Sequence, residues 1–310
     1  MPAPRAWNEL IVNPPDNPEV TVIIATAARP ERAEALQRAI AGVNAQRPIP
    51  ELLVVVNGAG FDKALVESLK SDPRVRYDYL NVGSYPAAQR RGRDLVRTAF
   101  FCYLDDDDEL LPGSIAARLE RAKQADQPDI VVCDGVRHVG ERDIAFCDCR
   151  PVAGTDLMLD LLRQNWFAST APLFRSDSIV PAFFDGKTKY FEWTLIAFRV
   201  LSAGRRMVLI DDLGFRLHDS PASLSKNPLG TLATPALLNQ LLDFDPPRLV
   251  RDELRRRLAK AHHACSDLEH HNGNHLAAWR HHLRSIALPG GLAYLAYTRR
   301  LVLPPTLTGR

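Results

Sequence analysis

Phe100–Pro112, FFCYLDDDDELLP, sets five apolar residues directly against five consecutive acidic ones. Burying an unpaired carboxylate costs several kcal/mol. The acidic run is therefore either a solvated loop or the seat of something cationic. Working outward, Val20–Ala25 (VTVIIA), Glu51–Val56 (ELLVVV) and Val75–Leu80 are further short runs with the look of buried strands. Between them, 31–44, 62–69 and 87–98 carry helical spacing. This alternation predicts an α/β fold, a mostly parallel Rossmann-like sheet flanked by helices on both faces. In such sheets ligands bind beyond the carboxyl ends of the strands. The loop Thr26–Arg29, the turn at Asn57 and the acidic run all fall on that edge.

Downstream, 129–133, 172–174 and 207–210 read as strands, and 155–162 and 193–203 as helices. From about residue 227 the pattern is helical only, with a hairpin of 253–271 and 275–285 broken at Asn272-Gly273-Asn274. The expected organisation is a sheet domain over 1–226 and a helical C-terminal extension over 227–310. A net charge of +2 gives no global drive toward nucleic acid. The five cysteines read as reduced structural thiols, the Cys147-x-Cys149 pair included. The N-terminus lacks a signal-peptide pattern and no apolar run reaches about 18 residues, so a cytoplasmic protein is expected.

An extended chain ending in Asp105-x-Asp107 places alternate carboxylates on one side. Hard divalent cations such as Mg2+ and Mn2+ take oxygen ligands, and Mg2+ typically combines carboxylates with phosphate oxygens. The ordered set VTVIIATAARPE, ELLVVVNGAG, YLDDDDELLPG, QNWFASTAPLFR, FDGKTKYFEWTLIAFRVLSAG and FRLHDSPASLS spans roughly residues 20–225. It resembles the signature segments of family 2 glycosyltransferases with the GT-A fold.

That resemblance implies an inverting, metal-dependent transfer of a sugar from a nucleoside diphosphate sugar to a saccharide or lipid-linked acceptor, in cell-surface polysaccharide or glycolipid assembly. It implies that Thr26, Asn57 and Asp105 surround the base and ribose, with Arg29, Gln89 and Asp106 as further donor-binding residues. Asp107 would be the principal ligand of Mn2+ or Mg2+, His218 a second ligand or phosphate contact, and Glu192 the general base. The chain departs from the family at Ala27, where an aromatic or other larger residue is usual. It departs again at Val56-Asn57, where acidic residues are usual, and at Gln89-Arg90, where Arg-Asn is usual. A nucleotidyltransferase is the rival enzyme reading, but ATAARPE lacks the glycines of a phosphate loop. A sugar-nucleotide-binding scaffold without turnover is the non-catalytic rival.

Three other features read as structural. Arg90, Arg91, Arg93 and Arg97 look like a solvated helix face. The seven histidines between His262 and His282 look like a surface hairpin rather than a zinc site. The tail Ser285–Pro305 packs on the domain or makes shallow membrane contact.

Overall fold

The structure, a computed structural model, describes residues 17–147, 155–186, 190–219 and 228–302. Cys149, and so the C-x-C pair as a whole, lies outside the described residues. The chain divides into two compact units, one of residues 1–148, 168–186 and 205–218, the other of 149–167, 187–204 and 219–310.

The first unit is a nine-stranded sheet with helices. Strands β1 (Val20–Thr26), β2 (Glu51–Asn57), β3 (Val75–Leu80) and β4 (Phe100–Asp105) lie in the order β3-β2-β1-β4, all parallel. Every residue of β1 is buried, which is why its sequence is a continuous apolar run rather than an alternating one. Helices α1 (Ala33–Asn44), α2 (Lys63–Ser71) and α3 (Tyr85–Leu95) connect these strands. Asp62 caps α2 by accepting from the Leu65 amide, and Ser84 caps α3 by accepting from the Ala87 amide. The cap at Ser84, with Pro86 in the first turn, starts α3 before the expected residue 87. Gly92 lets α3 sit close on β1, since a Cβ there would meet Ile23 Cγ2 at 2.5 Å.

The sheet continues through β5 (Glu109–Leu110), β6 (Ile130–Val139), β7 (Arg142–Ala145), β8 (Pro172–Arg175) and β9 (Met207–His218), with α4 (Ser114–Ala122) after β5. The full order is β3-β2-β1-β4-β8-β6-β9-β5, with β7 on β6. β9 does not stop at Ile210 as expected. It runs on beside β6 through a register irregularity at Val132–Gly135, which carries the strand past the exposed Asp211–Leu213 to His218.

Two arginines are core residues. Arg118 is fully buried and donates to the Ser114, Thr170 and Ala171 carbonyls. Arg93, assigned above to a solvated face, is 6% exposed, lies 4.6 Å over the Phe101 ring and donates to the Ile179 carbonyl. Arg91 stays on the surface with Asp78, and Arg90 with Asp94 and Asp185.

The second unit is helical: α5 (Leu157–Arg163), α6 (Glu192–Ser202), α7 (Leu229–Leu242), α8 (Arg248–His271), α9 (His275–Ile286) and α10 (Thr298–Val302), with a 3-10 segment at Gly291–Tyr297. α8 and α9 form the expected hairpin. Its histidines are not all at the surface, however: His262 and His282 are buried. His262 and His281 join through their Nδ1 atoms at 2.9 Å, and His282 bonds the Thr298 hydroxyl. His263 stacks on Tyr294 with ring centres 4.2 Å apart. Hairpin closure turns these positions toward the other helix and the 3-10 segment, so they pack rather than face water.

Among the described residues no helix is long and apolar enough to cross a membrane.

Candidate functional site

Strand order reverses at β1 and β4: the β-α-β path goes from β1 out to β2 and β3, then returns to β4 on the other side of β1. A crevice opens between the loops that leave two such strands. Register pairs Ala25 with Asp105 there, so Thr26 and Asp106 emerge side by side.

Thr26 Oγ1 donates to Asp106 Oδ2 at 2.5 Å and accepts from the Ala28 amide at 2.9 Å. Ala28 is fully buried with φ 46°, a left-handed conformation that a Cβ-bearing residue adopts only when its surroundings hold it there. Asn57, at the end of β2, donates from Nδ2 to the Thr26 carbonyl at 2.9 Å. Gly58 follows with φ 81°, where glycine costs nothing.

Within the acidic run the carboxylates draw on partners from several elements. Asp105 accepts from the Tyr85 hydroxyl and, at 2.7 Å, from the Ser169 hydroxyl. Arg32 Nη1 lies 3.1 Å from Asp106 and 2.5 Å from Asp107. Arg38 donates to the Asp107 carbonyl at 3.0 Å and pairs with Glu109. Asp108 accepts from the His218 amide at 2.9 Å, and the His218 ring meets Glu109 at 2.6 Å through Nε2.

Burial pushes the Asp105 carboxyl up to about 6, against the two hydroxyl donors that favour its charged form. Burial also raises Asp106, with Arg32 and Thr26 opposing. Asp108 is driven well above the usual carboxylate range by burial and by its neighbours Asp105 and Asp107.

Gln89 sits one helical turn after Tyr85 on the same side of α3. Its side chain is 2% exposed and its Nε2 has no hydrogen-bond partner in the protein, while its carbonyl accepts from the Tyr103 hydroxyl. A buried donor left unpaired costs about 1–3 kcal/mol, a cost that a bound polar group can remove. Arg29 stays outside this network, exposed and 3.9 Å from Glu31. Glu192 is the first residue of α6 in the helical unit.

Residues 21–148, which include all of this crevice except Ser169 and His218, match the family described as glycosyl transferase family 2. Over those residues the chain is similar to family 2 glycosyltransferases. Solved structures agree on the fold, GT-A. S. aureus TarS 1-349 in complex with UDP-GlcNAc superposes with a TM-score of 0.59 at 16% identity, over 83% of this chain and 75% of that one. S. aureus TarS 1-349 in complex with UDP gives 0.56 at 15% identity, over 83% and 75%. No curated protein matches this chain in sequence.

A divalent cation fits the acidic turn on chemical grounds. Asp106 and Asp107 already share one cation, the Arg32 guanidinium, and present the hard oxygen donors that Mg2+ and Mn2+ prefer. No group of three His, Cys, Asp or Glu side chains is arranged to hold a metal among the described residues. Mg2+ commonly needs only one or two carboxylates when phosphate oxygens complete its shell. Four side chains of this site went unmarked in the sequence: Arg32, Arg38, Tyr85 and Ser169. Only the last lies in a segment singled out for other reasons, QNWFASTAPLFR.

Proposed function

We propose that this glycosyltransferase moves a sugar from a nucleoside diphosphate sugar to an acceptor hydroxyl with inversion, in cell-surface polysaccharide or glycolipid assembly. The observation that carries the reading is the convergence of Thr26, Asn57 and Asp105–Asp107 where the loops leave β1 and β4. The UDP-GlcNAc and UDP complexes of its structural neighbours make a uridine diphosphate sugar the first donor to test.

In this reading Thr26, Asn57 and Asp105 bind the base and ribose, and the free Gln89 amide gains a partner on the donor. Asp107, with Asp106, holds Mg2+ or Mn2+, which neutralises the leaving diphosphate when bound. His218 is the proposed phosphate contact or further ligand; to serve, its ring must exchange Glu109 for the donor site. Glu192 takes the acceptor proton as the hydroxyl oxygen attacks the anomeric carbon from the side opposite the diphosphate.

The test is a thermal-shift titration with UDP-, dTDP- and GDP-sugars, with and without Mn2+. A metal-dependent rise with one nucleotide is expected. A flat response to all of them removes the donor reading and returns the acidic run to a loop.

We also propose that the helical unit touches an anionic membrane surface, which would bring the enzyme to a lipid-linked acceptor. From Asn272 to Val302 the chain has no acidic residue and four arginines, Arg280, Arg284, Arg299 and Arg300. Leu276, Arg280, Leu283 and Arg284 share one exposed face of α9, and Leu292 and Leu295 are exposed beside it in sequence. Leucines among arginines suit the boundary between acyl chains and anionic headgroups. Co-sedimentation with phosphatidylglycerol vesicles, lost in Leu283→Asp/Leu292→Asp and absent with phosphatidylcholine alone, is the expected result. Equal recovery with both lipids would remove the contact.

A further inference from the structure

Arg32 ends the 3-10 turn that leaves β1 (Pro30–Arg32), and its amide is tied to the Arg29 carbonyl at 3.0 Å. Because β1 and β4 are neighbours, this turn carries a cation directly onto the acidic run. Both of its ion pairs, to Asp106 and to Asp107, pass through the single nitrogen Nη1. The guanidinium fork is therefore not used in the bidentate manner that makes arginine–carboxylate pairs strongest. Arg38 is held differently: it bonds the Asp107 backbone carbonyl and Glu109, and leaves the Asp107 carboxylate to Arg32. Arg32 also keeps 31% of its side chain exposed, whereas Asp106 keeps 13%. It is a partly exposed cation resting on two less exposed anions, Asp106 at 13% and Asp107 at 22%.

We propose that Arg32 is the exchangeable counter-ion of the donor site: it occupies the cation position on Asp107 while the donor is absent, and passes to the donor's diphosphate when a divalent cation takes that position. The inference rests on the donor reading above and adds a residue to it. Its physical basis is charge balance. Without Arg32 the neighbouring Asp106 and Asp107 carboxylates lose the one cation they share and are left to repel each other. A divalent ion arriving alone would have to evict Arg32 into water. A divalent ion arriving with a diphosphate gives the guanidinium two anionic groups to pair with, in the planar geometry it favours. The coupling is reciprocal: the nucleotide tightens the cation by the same factor that the cation tightens the nucleotide.

The experiment is a Mn2+ titration of the donor-free full-length protein, with free Mn2+ read by its electron paramagnetic resonance signal, for wild type, Arg32→Gln and Arg32→Lys. Removing the competitor should tighten donor-free Mn2+ binding about 10-fold in Arg32→Gln, within the usual range of site–site coupling. The same variant should weaken UDP binding in the presence of Mn2+ by about the same factor. Arg32→Lys keeps a charge but loses the fork and some reach. It should tighten Mn2+ by about 3-fold, on the same coupling argument, and decides the matter if the Gln variant does not fold.

Donor-free Mn2+ affinity that is unchanged or weaker in the folded variants overturns the proposal. If wild type still binds UDP with Mn2+ in that case, the donor reading stands and only the role of Arg32 falls. If wild type binds no nucleotide at all, both fall together.

Discussion

The acidic turn Asp105–Glu109 and the hairpin histidines between His262 and His282 are two concentrations of ionisable side chains in this chain, and they are built in opposite ways. The turn keeps its carboxylates in contact with cations and hydroxyls delivered by other elements: Arg32 from the loop after β1, Tyr85 from α3, Ser169 from the segment before β8 and His218 from the end of β9. The hairpin makes its imidazoles part of the packing. Burial pulls His262 down to about 4, with His281 and Arg284 adding to the effect, and it lowers His263, His281 and His282 in the same direction. Local density of titratable groups therefore does not mark a site. Convergence of several elements on groups whose partners can be exchanged does.

The comparison breaks most sharply at Asp107. Asp107→Ala should abolish Mn2+-dependent donor binding and lower turnover roughly 10²–10³-fold, the usual cost of removing a preorganised electrostatic contact. Calorimetry with UDP and Mn2+ reads it, and metal dependence that survives unchanged takes Asp107 out of the site. Glu192→Gln should come next, sparing donor affinity and reducing turnover about 10²-fold. Near-normal turnover would move the base to another residue. In each case thermal stability should change little, because both side chains keep some exposure and neither is part of the hydrophobic core.

Much of this was legible beforehand, for identifiable reasons. Strands buried on both faces are written as unbroken apolar runs, so β1 to β4 and the edge where their loops meet could be read directly. Thr26, Asn57 and Asp105–Asp107 fall on that edge because each ends or follows one of these strands. Arg32 was not legible because Arg29 and Arg32 carry the same charge three residues apart. Only the 3-10 turn at Pro30 leaves Arg29 with Glu31 and sends Arg32 to the acidic turn. β9 was cut short because Asp211-Asp212-Leu213-Gly214 looks like a turn, whereas a bulge in its partner strand absorbs the irregularity. Arg93 was misassigned to a surface because a charged residue on an amphipathic helix normally marks the wet side, yet it satisfies a backbone carbonyl inside the fold, as the buried Arg118 also does.

A smaller effect separates the two regions by pH. For the hairpin histidines the folded state disfavours the proton that the unfolded chain accepts. Between about 6.5 and about 4 the unfolded state then binds more protons, and stability rises with pH. The helical unit should be fully stable above about pH 7 and lose on the order of 1–3 kcal/mol as pH falls from 6.5 toward 4. Hydrogen exchange resolved over α8 and α9 should report it as faster opening at pH 5 than at pH 7, after correction for the intrinsic rate. Protection that is flat over this interval would mean that these imidazoles are not held neutral.

The smallest expected effect identifies which pair carries that slope. His262 and His281 bond each other, so deleting one alone strands the other's Nδ1, while replacing both with apolar residues of similar volume removes donor and acceptor together. His262→Leu/His281→Leu should therefore change the melting temperature at pH 7.5 by no more than a few degrees. The acid loss between pH 6.5 and 4.5 should shrink visibly, because the most strongly lowered group and its charged-state antagonist are both gone. His263 and His282 remain in the double variant, stacked on Tyr294 and bonded to Thr298, so a residual slope is expected from them. If the acid loss stays undiminished, the sensitivity lies with those two rings against the 3-10 segment, and the bonded pair is only a neutral strut between α8 and α9.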